Sequence, residues 1–218
     1  MPIRAVVFDI GGILEVIPGG GDPTIRFPRM MAAWEQRLGM PEGALGAKVK
    51  AMDNALISAG KDGGIGTCSE EEWLMELQRV TGWDQPTMDA FVADFWDIYC
   101  GNPNPELATY LGSLRPRYTT ALLSNSFVGA RREEENRLRL SKIADLIIYS
   151  HEVGVAKPDP RIYRITCERL GCQPEEMVFL DDAEPNIVAA RKYGIHTVLF
   201  RDNQQTIADI EACLRECA

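Results

Sequence analysis

The sequence predicts an α/β protein: a three-layer core with a parallel sheet between helices, plus a small all-α unit inserted into it. Three observations predict this. Short apolar runs without clean alternation recur at 4–8, 119–124, 146–150, 177–180 and 197–200, as strands buried on both faces require. From residue 104 onward these runs alternate with helical patterns, and strand–helix–strand repetition implies a parallel sheet covered on both faces. Residues 24–102, by contrast, contain no convincing strand and only helical periodicity.

The first strand is Arg4-Ala5-Val6-Val7-Phe8, ended by Asp9. In the helical block, Leu45, Val49, Met52 and Leu56 share one helix face. Ser69 with Glu72 forms a capping box, and Trp73, Leu77 and Val80 follow on one face. Met88, Phe91, Val92, Phe95 and Tyr99 make another stripe. Such Met and aromatic stripes read as the core of a small helical bundle. Beyond it, Leu107, Tyr110, Leu111 and Leu114 recur at helical spacing. Asp159-Pro160 reads as an N-cap with proline at the first helical position, and Gly171 follows that helix. Pro185 and Gly194 bracket the next helix in the same way. Gly19-Gly20-Gly21-Asp22-Pro23 and Gly101-Asn102-Pro103-Asn104-Pro105 are the expected hinges. The expected division is 1–20 with 103–218 for the core domain and 21–102 for the helical domain.

Composition narrows the class of function. Among 218 residues, 23 Lys and Arg face 32 Asp and Glu, a formal charge of −9, and 45% are hydrophobic. That is too apolar for a disordered chain. No Lys/Arg block forms a phosphate-tracking face, which argues against a nucleic-acid partner. Any anionic substrate must therefore be held by a local cation or by backbone dipoles. No apolar stretch approaches the ~18–20 residues a membrane span needs, and the short run ended by Asp9 reads as structure rather than as a signal peptide. A cytoplasmic location is expected. Cys68, Cys100, Cys167, Cys172, Cys213 and Cys217 contain no CxxC pair and only two His accompany them, so a zinc site is not expected. Free, mostly buried thiols are expected instead.

In an open parallel sheet, ligands bind beyond the carboxyl ends of the strands. Asp9 follows the first strand in Phe8-Asp9-Ile10-Gly11-Gly12, and Ser124 and Asn125 follow the second. His151 and Glu152 follow the third, ahead of Gly154-Val155-Ala156-Lys157-Pro158. Asp181, Asp182 and then Asn186 follow the fourth. Gly11 and Gly12 let the backbone turn tightly and approach a ligand. Asp9 with Asp181-Asp182 makes the hard, oxygen-rich pocket that Mg²⁺ prefers. Ser124 and the backbone N–H groups after it can hold phosphate oxygens, and Lys157 can neutralise both the phosphate and Asp9. One oxygen of Asp9 can then attack phosphorus while the other binds metal.

On these residues the chain resembles the haloacid dehalogenase-like hydrolase superfamily, in the branch with a helical cap between the first two motifs. The matching motifs are Val7-Phe8-Asp9-Ile10-Gly11-Gly12-Ile13-Leu14, Leu123-Ser124-Asn125-Ser126, Gly154-Val155-Ala156-Lys157-Pro158-Asp159-Pro160 and Val178-Phe179-Leu180-Asp181-Asp182-Ala183-Glu184-Pro185-Asn186. The resemblance implies a Rossmann-like core and a Mg²⁺-dependent phosphatase that works through an aspartyl-phosphate on a small phosphorylated metabolite. It makes Asp9 the nucleophile and a metal ligand, and has Gly11 give its carbonyl to the metal. It has Ser124 and Asn125 bind phosphate and Lys157 pair with Asp9 and phosphate. Asp182 becomes the acidic metal ligand, Asp181 a second acidic contact, direct or through water, and Asn186 a support of that shell.

The sequence departs from the family at Gly11, where phosphatases usually carry a second Asp that protonates the leaving oxygen and then activates water. A positioned acid–base group is worth ~10²–10⁴ in rate. Three readings follow: substrates whose leaving groups need little protonation, such as acyl, phenolic or anomeric phosphates; a proton supplied from the cap or the His151-Glu152 loop; or a catalytically weak protein that serves binding. A dehalogenase is a further reading, disfavoured because such relatives need no metal and lack the Asp181-Asp182 pair. His151 reads either as a titrating group at the mouth of the site or, more simply, as a loop residue satisfied by backbone or solvent. Glu15 is a similar weak candidate. Arg131-Arg132-Glu133-Glu134-Glu135 reads as an exposed helix face. Monomer and homodimer are both open.

Overall fold

The computed structural model describes residues 1–16 and 23–217. The sheet order is β5-β4-β1-β6-β7, formed by Leu146–Tyr149, Thr119–Ser124, Ala5–Phe8, Met177–Asp181 and His196–Leu199. Every neighbouring pair in it is parallel. The α/β layered fold predicted from the sequence is therefore present. Each strand begins and ends within one residue of its predicted run, and the one-residue extension of β6 takes in Asp181.

Alternation of side chains along the strands builds the layers. Val6 and Phe8 of β1 pack on one face with Leu122, Val178 and Leu180. That face is covered by α5 (Pro105–Ser113) through Leu107 and Leu111, and by α10 (Asn203–Glu216) through Ile210 and Leu214. Ala5 and Val7 face the other way with Ala121, Leu123 and Phe179. There α8 (Pro160–Leu170) contributes Ile162 and Tyr163, and α9 (Glu184–Lys192) contributes Ala190. Each fully buried large side chain contributes roughly 1.5–3 kcal/mol, so both faces of the central strand are strongly specified.

The inserted block consists of α1 (Pro23–Leu38), α2 (Ala44–Ser58), α3 (Glu70–Thr81) and α4 (Gln85–Cys100). The capping box at Ser69 and Glu72 forms: Ser69 Oγ accepts from Glu72 N (3.1 Å) and Glu72 accepts from Ser69 N (2.9 Å). Leu45, Val49, Met52, Trp73, Leu77, Met88 and Phe91 make its core.

The predicted hinge at Gly19-Gly20-Gly21-Asp22 lies outside the described residues. The second predicted hinge is ordered differently. Asn102–Pro103 is a short strand, β3, paired antiparallel with β2 (Glu15–Val16). Asn104 locks this ribbon, donating from its backbone to Leu14 O and from its side chain to Ile13 O, both at 2.8 Å. It also N-caps α5. Four of the cysteines are buried, Cys213 and Cys217 are half-buried, and all are free thiols. Among the described residues no helix is long and apolar enough to cross a membrane.

The run Arg131–Glu135 is not a uniformly exposed face. It lies on α6 (Ala130–Leu138), where Ala130 and Glu134, one turn apart, are both buried. Glu134 accepts a hydrogen bond from the Tyr149 hydroxyl at 2.6 Å, and the surface ion pairs fall to Arg131, Arg132 and Glu133.

Candidate active site

The strand order reverses around β1, with β4 on one side and β6 on the other, so a crevice opens where β1 ends. Asp9 sits there. Its backbone N–H still donates to Leu180 O at 2.8 Å, which fixes it at the strand edge, and its Oδ1 accepts from Ile10 N at 2.8 Å. Ser124 ends β4 two residues beyond Leu122, which pairs with Phe8. It emerges at the level of Ile10, buried, with its hydroxyl donating to Asn125 O at 3.3 Å.

Lys157 is the hub. Its ammonium lies 2.8 Å from Asp9 Oδ1, donates to Asp181 Oδ2 at 2.7 Å and donates to Leu123 O at 2.9 Å. Three donors meet three acceptors in a place where the side chain is 1% exposed. Its backbone is clamped as well. Lys157 N donates to Asn125 Oδ1 (2.7 Å), and Asn125 Nδ2 donates to Lys157 O (2.8 Å). The Asn125 side chain, expected at the phosphate, is thus engaged at both ends in holding Lys157.

Asp181, at the end of β6, is fully buried. Its Oδ1 accepts from Ala183 N (2.8 Å) and Asn186 Nδ2 (3.0 Å), with a second Asn186 contact to Oδ2 at 3.1 Å. Asn186 lies in the first turn of α9, behind Pro185, so the helix start aims its amide at the carboxylate. Asp182, by contrast, is exposed. A Cβ at Gly12, whose φ is +75°, would lie 2.2 Å from Asp182 Oδ2. Glycine there lets the carboxylate close on the turn after β1.

Burial pushes the Asp9 carboxyl up. Lys157 opposes this and Asp181 adds to it, leaving the group at about 7. Burial works to lower Lys157, but the charges of Asp9 and Asp181 outweigh it and hold the ammonium above its ordinary value. Asp9, Asp181 and Asp182 each bring a carboxylate oxygen within 4.8 Å of the others. A close set of hard oxygens on a rigid strand edge fits a divalent cation such as Mg²⁺.

His151 does not lie in a loop. It belongs to a short helix, α7 (Ser150–Val153), and its Nδ1 is 2.6 Å from the Ser126 hydroxyl. Burial lowers its pKa. Glu152 is held below the usual carboxylate range, first by its hydrogen bond to Arg131. Glu15 is buried on β2. Two features escaped the sequence reading. One is Glu134, hidden in a charged run. The other is the segment Asp62-Gly63-Gly64-Ile65-Gly66, which reaches the core: Ser150 Oγ donates to Gly64 O (2.7 Å) and Val128 N to Gly63 O (3.2 Å). The cluster of three glycines was the available signal.

Comparison with known proteins agrees with this architecture. The porcine (Sus scrofa) bifunctional epoxide hydrolase 2 is 26% identical over 233 residues, covering 97% of this chain, which spans 39% of that protein's length. A phosphatase of Mycobacterium tuberculosis (strain CDC 1551 / Oshkosh) is 26% identical over 207 residues, covering 94% of this chain and 91% of its own. (S)-2-haloacid dehalogenase 1 of Pseudomonas sp. (strain CBS-3) is 34% identical over 165 residues, covering 62% and 72%. An HAD family enzyme of Bacteroides thetaiotaomicron, crystallised with magnesium and inorganic phosphate, superposes with a TM-score of 0.66 at 20% identity, covering 91% of this chain and 94% of its own. The profile of the hydrolases described as haloacid dehalogenase-like matches residues 3–194. With that match spanning the strand-end carboxylates and their lysine, the chain belongs to the haloacid dehalogenase-like hydrolase family.

Proposed function

We propose that the protein is a Mg²⁺-dependent phosphatase that forms an aspartyl-phosphate on Asp9. The observation that carries this reading is the Lys157 ammonium bridging Asp9 and Asp181 beside the exposed carboxylate of Asp182. Asp9, Asp182 and the Gly11 carbonyl would hold Mg²⁺, with Asp181 as the second acidic contact and Asn186 supporting it. When bound, the ion supplies positive charge opposite the phosphoryl oxygens. The resemblance to a mycobacterial phosphatase points the same way.

Lys157 orients Asp9 by gripping Oδ1, which leaves Oδ2 to attack. A bond forms from Oδ2 to phosphorus as the bond from phosphorus to the leaving oxygen breaks, and the leaving group keeps that electron pair. Ser124 binds a phosphoryl oxygen. Asn125 acts on the phosphate through Lys157, whose ammonium also balances the charge that collects on the phosphoryl group. Water then attacks phosphorus, Asp9 departs as carboxylate, and the water proton passes to phosphate and solvent. Gly11 offers no proton in either step, so the first favours leaving groups that depart unprotonated.

Asp9→Asn and chelation of divalent ions are each expected to abolish turnover of an aryl phosphate. Undiminished turnover in either case overturns the reading. A second reading, carbon–halogen hydrolysis at Asp9, is favoured by the similarity to a haloacid dehalogenase. The Asp181-Asp182 pair speaks against it, and halide release without Mg²⁺ would establish it.

A further inference from the structure

Between the helical block and the core lies a cavity of about 470 Å³, within the range of small-molecule sites. Its walls include Phe27, Met31, Leu56, Trp73 and Phe95, and Phe127 closes it from the core side. Phe127 is three residues past Ser124, on the loop that leaves β4 beside Asp9. It packs edge-on against Trp73, with ring centroids 5.3 Å apart. The cavity and the strand-end crevice therefore share the loop that follows β4.

The polar groups in the wall are already engaged. Asp53 accepts from Trp73 Nε1 (2.9 Å), Lys61 donates to Glu72 Oε1 (2.7 Å) and Asp62 accepts from Gly64 N (2.7 Å). The Tyr99 hydroxyl accepts from Phe127 N (3.1 Å). A sugar placed here would bury hydroxyls against aromatic rings and engaged polar groups, at the cost of their hydrogen bonds to water. A hydrocarbon would lose nothing and would gain the contacts. The Gly11 position adds an independent constraint. A Cβ there meets nothing within 4 Å among the described residues, and glycine itself carries no group that could protonate the leaving oxygen.

We propose that this cavity is the leaving-group site and that the substrate is an acyl or aryl phosphate with an apolar body, not a phosphorylated sugar. The proposal rests on the phosphatase reading of Asp9 and adds the chemistry of the other half of the substrate. Asp9 takes the phosphoryl group, the leaving group departs as carboxylate or phenolate without a proton, and its hydrocarbon part stays against Phe127 and Trp73 until release.

The test compares acetyl phosphate, octanoyl phosphate and glucose 1-phosphate with Mg²⁺, in the native chain and in Leu56→Trp, which fills the cavity. Octanoyl phosphate is expected to exceed acetyl phosphate in kcat/KM by about tenfold or more. Glucose 1-phosphate is expected to be the poorest substrate, and Leu56→Trp to remove the chain-length advantage. Equal rates for the two acyl phosphates, a preference for the sugar phosphate, or an unchanged advantage in a folded Leu56→Trp overturns the inference and leaves Asp9 chemistry standing. If no phosphate is turned over, the phosphatase reading fails, and calorimetry with octylphosphonate decides the cavity alone. Binding that is lost in Leu56→Trp upholds an apolar site, and no binding to the native chain overturns it. Should Leu56→Trp not fold, the substrate and calorimetric comparisons in the native chain decide.

Discussion

The ammonium of Lys157 lies 2.8 Å from Oδ1 of Asp9, and both side chains are almost wholly removed from solvent. This pair, closed on its far side by Asp181, sets the charge of the site. One cation faces two buried acidic side chains beside the exposed Asp182, an excess of acidic groups that a divalent ion can balance.

Removing that cation is predicted to destabilise the fold as well as to stop chemistry. Lys157→Met leaves Asp9 and Asp181 buried without a counter-charge, which typically costs about 3–5 kcal/mol. Burial already raises the Asp9 carboxyl to about 7 with Lys157 opposing it, and without the lysine that opposition is gone. The loss should therefore be smaller in acid, where Asp9 is protonated, and grow as pH rises. Urea denaturation at pH 5 and pH 8 measures this. An equal loss at both values would show that the pair is not ionised in the native protein.

Position 11 gives a prediction in the direction of gain. The space at Gly11 accommodates a Cβ, and its φ is not in the left-handed region. Gly11→Asp is expected to fold, to raise turnover of simple alkyl phosphates by ~10²-fold or more and to shorten the life of the phospho-enzyme. Acyl phosphates, which need no proton, should gain far less. Steady-state rates across leaving groups of graded pKa measure it, and a uniform change across the series would contradict the assigned role of the missing acid.

Glu134 gives a prediction about pH and stability. Burial pushes its carboxyl from 4.5 up to about 8; the Tyr149 hydrogen bond opposes this and the charge of Asp9 adds to it. A folded-state pKa above the unfolded value means that the native chain holds the extra proton. Stability from this group is thus fully present below pH 4.5 and lost as pH rises toward about 8. Glu134→Gln keeps the shape and the acceptor for Tyr149 but cannot ionise. Relative to the native chain it should gain on the order of 1 kcal/mol per pH unit through that window. Parallel thermal melts of the two proteins from pH 5 to pH 9 would reveal it, and parallel pH profiles would contradict it.

The strands were legible in the sequence because burial on both faces strips them of polar residues, as in Ala5-Val6-Val7-Phe8. Their carboxyl ends were legible for the complementary reason: an Asp or Ser that ends such a run has little to do but chemistry or capping. The same logic places Asp9, Lys157, Asp181 and Asp182 at neighbouring strand ends. It missed β2 and β3, because a two-residue ribbon has no periodicity and is held by Asn104, which reads locally as a turn residue. It missed the burial of Glu134, because a charged run on a short helix resembles a solvated face unless its partner, Tyr149, is known to lie beneath. It had no signal for the bond by which the Asn125 amide holds the Lys157 backbone from 32 positions away. The cavity at Phe127 was illegible for the same reason, since its walls come from segments far apart in the chain.

The central claim is that Asp9 itself takes the phosphoryl group, and rapid-quench peptide mapping of the protein mixed with acetyl phosphate and Mg²⁺ tests it most directly. The account predicts a phosphoryl adduct on the peptide that carries Asp9. It should form in an amount equal to the enzyme within the first turnover, decay slowly and be absent in Asp9→Asn. Turnover of acetyl phosphate with no adduct, or with the adduct on another side chain, would contradict it.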